Sequence, residues 1–265
     1  MPLDHTVGSI TVTALVDGVG PFFQPREEAF PDATAGQWAE ADRRDPDTVG
    51  PDGRWRLPFR CFALRAGDGP VTLVDAGIGP ADAPAASWAP VPGRLPAELA
   101  AAGIDPADVR TVVLTHLHSD HVGWAGPLFP NAEHLLQRAE LDALALFHPE
   151  LPARLVGPLR AAGRLRVLDG DTDLTPGVRV LSTPGHTPGH QSVLVDSGED
   201  RLLVTGDLLV HAVQLVDPGL AYAHEVDPAT ARESRTELLR AVAARGPAVL
   251  ATPHLGVPFT ILPAG

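Results

Sequence analysis

Apolar and polar positions alternate along several short stretches of the chain and change to a helical period in others. Ile10–Val16 alternates and is β-branched, which predicts a strand ending at Asp17-Gly18. Phe59–Arg65 and Val71–Asp75 read as a strand pair turning at Gly67-Asp68-Gly69. Thr111–Leu114 is a short buried strand, and Val178–Leu181, Ser192–Val195 and Leu202–Thr205 are three more at close spacing, with Val249–Ala251 the last. Helical character marks Leu95–Ala102, stopped by Gly103, and also Ala139–Phe147 and Pro152–Ala162. Asp227-Pro228 is a helix start, with an N-cap followed by proline at the first position, and that helix is expected to reach about Arg245 before Gly246. Strands thus cluster in both halves, each cluster followed by helix. Two sheets with helices outside fit this order: an α+β arrangement. Residues from about 20 to 58 stand apart, rich in Pro, Asp and Arg, with isolated aromatics at Phe22, Phe23, Phe30, Trp38 and Trp55. They read as a surface excursion with local packing, or as a lid or dimer arm over a pocket.

Composition narrows the partners. A chain of 265 residues can bury one large core or two small ones, and residues 1–265 are read as a single domain carrying the 20–58 excursion. The net charge of -13 argues against nucleic acid or an anionic membrane and leaves a small molecule as the expected partner, with a homodimer left open. Lysine is absent, so every basic side chain other than histidine is arginine, a coding bias rather than a functional signal. Cys61 is the single cysteine, in the apolar run FRCFAL, and is expected to be a buried small hydrophobe. MPLDHTVGSI lacks the basic and apolar regions of a signal peptide, and no apolar run approaches ~18 residues. A cytoplasmic protein is the default expectation.

The chemistry concentrates just beyond the predicted strands. Thr115-His116-Leu117-His118-Ser119-Asp120-His121 places four ligand-type side chains within six positions. In extended chain, His116 and His118 point to one side, because side chains alternate with period two. If the chain then enters a helix, Asp120 and His121 swing toward a second ion nearby. Nitrogen and oxygen donors suit zinc, with manganese, iron or cobalt open. Three later elements can complete the site: His186 and His190 in TPGHTPGH, Asp207 in TGD, and His254 in PHL. The prolines and glycines of the first make a rigid turn, and a carboxylate at Asp207 can bridge two cations with its two oxygens.

The order HLHSDH, TPGHTPGH, TGD and a late histidine resembles the metallo-β-lactamase superfamily over nearly the whole chain. That resemblance implies an αβ/βα four-layer sandwich with a dinuclear site between its halves. Carried over, His116, His118 and His186 would bind the first ion, Asp120, His121 and His254 the second, and Asp207 would bridge them; two Zn²⁺ per chain are expected. Asp75 in LVDAG would support a ligand histidine from behind, and His190 is given a similar or structural role. The stretch GDLLVHAVQLVDPGL looks most similar to the branch of quorum-quenching lactonases and methyl parathion hydrolase. Where some lactonases carry a tyrosine three residues after the bridging Asp, this chain has Val210, and its single tyrosine, Tyr222, lies in a later loop.

The expected reaction is hydrolysis of a small ester or lactone by metal-bound hydroxide, with Asp120 orienting the nucleophile or moving a proton. A thioesterase or phosphotriesterase on the same site is the alternative, and an iron-dependent sulfur dioxygenase the alternative of another class. His211 is a candidate substrate or proton-handling group in the cleft, and Phe22, Phe23 and Trp124 are candidate walls. His5, His134, His148 and His224 are expected at the surface, and Asp142 and Glu225 are read as solvated.

Overall fold

The computed structural model describes residues 2–50, 53–147 and 149–265. Among them, thirteen strands form two sheets. The first holds β1 (Leu3–Val7), β2 (Ile10–Pro21), β3 (Arg56–Ala66), β4 (Val71–Val74), β5 (Val109–Val113), β6 (Glu133–Gln137) and β7 (Leu165–Leu168), in that spatial order. Its first four strands pair antiparallel, and β4 to β7 run parallel. The second holds β8 (Thr172–Thr175), β9 (Val178–Ser182), β10 (Gln191–Asp196), β11 (Arg201–Val204), β12 (Ala248–Ala251) and β13 (Phe259–Leu262), in the order β13-β12-β11-β10-β9-β8. Only β11 and β12 pair parallel there, and helix Pro228–Ala243 lies between them in sequence.

The period of two assigns each residue to a layer. In β11, Leu202 and Val204 join a core with Val12, Phe62, Val74 and Val113 of the opposite sheet, while Leu203 faces outward to Leu239 of the long helix. The other sheet's outer face packs Leu73 and Val112 against Leu95 and Leu99 of helix Leu95–Ala101. Helix, sheet, sheet, helix is the αβ/βα sandwich expected. Within the described residues no helix is long and apolar enough to cross a membrane.

Several boundaries differ from the sequence reading. β2 does not stop at Asp17-Gly18: a bulge between Val16 and Gly18 bends it, and it runs on to Pro21. The bulge turns the buried Asp17 carboxylate inward, where it accepts the N–H groups of Ile78 (2.7 Å) and Leu95 (2.5 Å). Across Pro152–Ala162 the chain is a π turn to Val156 followed by a short α-helix, because Pro158 has no N–H to give and the Gly157 N–H reaches back to the Pro152 carbonyl. The described residues of the region 20–58 pack locally, as one of its two readings expects. Helix Ala35–Arg44, capped reciprocally by Thr34 and Gln37, and Phe22, Phe30, Trp38 and Trp55 form a core with Val210, Val213 and Tyr222. Each such aromatic, fully buried, contributes about 1.5–3 kcal/mol, which explains why a polar-looking segment is ordered here.

Candidate metal centre

All the ligand-type residues lie just after strand C-termini at one end of the sandwich. Beyond β5, residues Thr115 to His118 leave the sheet, and a helical turn, Ser119–Val122, starts with His118 as its N-cap. That turn carries Asp120 and His121 away from the extended His116 and His118, as the motif spacing anticipates. Gly206 (φ 53°) lets the chain after β11 pass close to its neighbours, since a Cβ there would lie 2.7 Å from His190 Nε2 and 2.9 Å from Thr115. The next residue, Asp207, is thereby brought into the centre.

Two groups result, His116, His118, His186 and Asp207 in one, Asp120, His121 and His254 in the other, with ligand atoms within 4.8 Å of one another in each. His118 Nδ1 lies 2.9 Å from His116 Nε2 and 3.0 Å from His186 Nε2. Asp207 Oδ2 faces this group, 3.2 Å from His186 Nε2 and 3.7 Å from His116 Nε2. Its other oxygen, Oδ1, faces the second group, 3.3 Å from His121 Nε2 and 3.2 Å from His254 Nε2. Asp120 Oδ2 completes that group at 3.4 and 3.6 Å from the same two nitrogens.

The residues fit a pair of cations. His118 Nδ1 lies within 3.0 Å of two other imidazole nitrogens, and Asp207 Oδ1 is buried with no hydrogen-bond donor, an arrangement that cations among these groups would satisfy. Burial, with the neighbouring histidines, pushes His116 far down and His118 to about 3, whereas Asp120, Asp207 and Asp75, against the effect of burial, push His121 well up. Burial alone would raise the carboxyls of Asp120 and Asp207. His121 and His254 reverse this and hold both below the usual carboxylate range.

Hydrogen bonds behind the ligands set their tautomers. Asp75 Oδ2 accepts His121 Nδ1–H at 2.8 Å and the Thr115 hydroxyl at 3.0 Å, while Oδ1 accepts the Thr115 N–H at 2.7 Å. The hydroxyl has one proton, given to Asp75, so it accepts from His116 Nδ1 at 3.0 Å. Asp75 therefore orients one ligand histidine directly and another through Thr115. His254 Nδ1–H donates to the Pro58 carbonyl at 2.8 Å, turning Nε2 to the centre. His190 is not a ligand: its Nε2 accepts the Asp207 N–H at 2.9 Å, and its Nδ1 faces the Thr183 hydroxyl.

A cleft of about 330 Å³ opens over the centre, lined by His118, Asp120, His186, Asp207 and His254 on its floor. Phe22 and Phe23 stand in its wall, as the sequence suggests, joined by Tyr222 and by Trp88, Leu146 and Phe147, which the sequence reading did not single out. Tyr222 is brought in from its later loop, its ring stacked on that of His186 at 6.0 Å and 11°. Two candidates are corrected. His211 does not reach the cleft: its ring is buried among Phe30, Trp38 and Trp55, and its Nδ1 accepts the Val213 N–H. Trp124 is not a wall either, because its indole N–H donates to Asp17 at 3.1 Å, turning the ring into the core behind the site. Among the histidines expected at the surface, His5 is half-exposed, and His148 lies outside the described residues. His134 is fully buried and accepts the Gly126 N–H, and His224 lines the cleft beside Phe23. Asp142 is exposed as expected, whereas Glu225 is buried in an ion pair with Arg235 at 2.8 Å.

A histidine and aspartate cluster that fits two cations, at one end of an αβ/βα sandwich and under an apolar cleft, defines a class of proteins. Residues 58–254 match the family model described as "Metallo-beta-lactamase superfamily", and the chain belongs to that superfamily. It is 31% identical over 170 residues to an N-acyl homoserine lactonase of Bacillus cereus, covering 59% of this chain and 66% of that protein. It is 42% identical over 125 residues to N-acyl homoserine lactonase AttM of Azorhizobium caulinodans, covering 43% and 44%. The matched stretch thus spans just under two thirds of the length of the Bacillus lactonase and less of AttM. Among solved structures it resembles the hydrolase AbOPH of the beta lactamase superfamily, with TM-score 0.77 and 26% identity, covering 100% of this chain and 97% of that one. AidC, a dizinc quorum-quenching lactonase, shares the fold with TM-score 0.76 and 23% identity over 100% of this chain and 97% of its own.

Proposed function

We propose that this chain is a two-zinc hydrolase that opens a lactone ring, with N-acyl homoserine lactones as the substrate class. The observation that carries the reading is Asp207, whose two oxygens face two separate histidine groups on the floor of an apolar cleft. All seven donors are nitrogen or carboxylate oxygen, a set that suits zinc. When bound, such ions make water acidic enough to deprotonate near neutral pH and polarise a carbonyl oxygen.

The chain's own residues do the rest. Asp120 reaches the cleft and can hold or move a proton there. Burial pushes the Tyr222 phenol well up, and its hydroxyl can donate to an oxygen of the substrate. Phe22, Phe23, Leu146, Phe147 and Trp88 exclude water and offer an apolar face to an acyl chain. The names of the relatives support this choice. A one-iron dioxygenase would leave the second group, Asp120, His121 and His254, without purpose.

The test is a panel of an N-acyl homoserine lactone, an aryl ester, a β-lactam and S-lactoylglutathione at equal concentration, with zinc and with manganese. The lactone is expected to be opened fastest. A tenfold preference for S-lactoylglutathione would replace this reading with a thioesterase.

A further inference from the structure

Glu140 lies in helix Arg138–Asp142, outside every ligand motif, and its side chain is completely buried. Its carboxylate is held by backbone N–H groups, with the Thr187 hydroxyl beside it. One oxygen accepts the Leu117 N–H at 2.8 Å and the other accepts the Gly189 N–H at 2.8 Å. Leu117 sits between His116 and His118, and Gly189 closes the turn that carries His186. The approach is so close that a Cβ on Gly189 would meet the Glu140 backbone N at 2.2 Å, which fixes glycine there. All three histidines served by this clamp belong to the first metal group, and none to the second.

We infer that Glu140 is a positioning residue for the first metal group alone, holding the His116–His118 segment and the His186 turn at a fixed separation by joining one backbone N–H of each. The inference rests on the two-ion reading above. A carboxylate can accept from both N–H groups, whereas an amide at this position would present its NH₂ to one of them and break half of the clamp.

The experiment compares wild type, Glu140→Gln and Asp17→Asn, each loaded with zinc alone and titrated with a chelator. Asp17 is the control, a buried carboxylate that also accepts backbone N–H groups, those of Ile78, Gly79 and Leu95, but far from the ligands in sequence. Imidazole NMR signals report each histidine, and melting temperature reports stability. In Glu140→Gln, the signals of His116, His118 and His186 are expected to become metal-free at ~10–100-fold lower chelator concentration, the range for groups behind a ligand. Those of His121 and His254 should follow wild type. Asp17→Asn should lower the melting temperature without splitting the two groups. Equal loosening of both groups in Glu140→Gln, or none, would overturn the assignment. A wild-type chain that takes up a single ion would refute the two-ion reading by itself. Glu140 would then stand if the variant releases that ion early and fall if it does not.

Discussion

Asp75 Oδ2 lies 2.8 Å from His121 Nδ1, and Asp75 is the one described non-glycine residue with a positive φ, 63°. A left-handed backbone at an ordinary residue is costly and persists where its surroundings demand it. Here the demand is visible: the same carboxylate also takes the Thr115 N–H and hydroxyl. Asp75→Ala should weaken metal binding and turnover by ~10–100-fold, through loss of orientation at His121 and, by way of Thr115, at His116. Metal affinity measured alongside activity checks this; unchanged affinity would remove the positioning role.

Asp207→Ala removes the one carboxylate that faces both groups. Turnover is expected to fall by several orders of magnitude, with at least one ion lost on dialysis. A variant that retains both ions and near-normal turnover would contradict the bridging arrangement.

The Tyr222 ring and its hydroxyl can be separated by Tyr222→Phe, which keeps the stack on His186. With a lactone substrate kcat should drop about tenfold, the worth of one hydrogen bond, while metal content stays the same. If kcat holds and only KM rises, the ring is a wall and the hydroxyl is idle.

Stability should fall on the acid side for reasons outside the metal centre. Burial, aided by Arg164, lowers His134 to about 4, below its ordinary 6.5. The unfolded chain then binds a proton that the folded chain refuses between those values. Stability is therefore full above pH 6.5 and is lost as pH falls toward 4, by a few kcal/mol at most at ~1.4 kcal/mol per unit. His134→Gln can still accept the Gly126 N–H but cannot be protonated, so its melting temperature should decline less over this range. Parallel declines in variant and wild type would exclude His134 as a source of the acid sensitivity.

The residues that converge on the candidate metal centre could be read from the sequence because four of them fall within six positions and the others follow strands whose alternation is plain. The two-sheet architecture was legible for the same reason, β11 and β12 being short apolar runs. What escaped depends on distance. Strands β1, β6, β7, β8 and β13 are short, and most mix polar residues into an already brief alternation, as Glu133-His134-Leu135-Leu136-Gln137 does. Glu140 looks like any helical glutamate, because its partners are backbone N–H groups 23 and 49 residues away. His211 and His224 show the same limit. His211 follows Asp207 by four residues, a spacing that predicts a place in the cleft, yet the aromatic cage formed by the 20–58 segment draws it inward. The loop from 220 to 226 brings His224 and Tyr222 to the cleft instead.

Elemental analysis of metal-replete protein tests the central claim most directly. Seven converging donors exceed what one four-coordinate ion can use, and Asp207 divides them between two. The account predicts close to two ions per chain. A value near one that added metal does not change would contradict it.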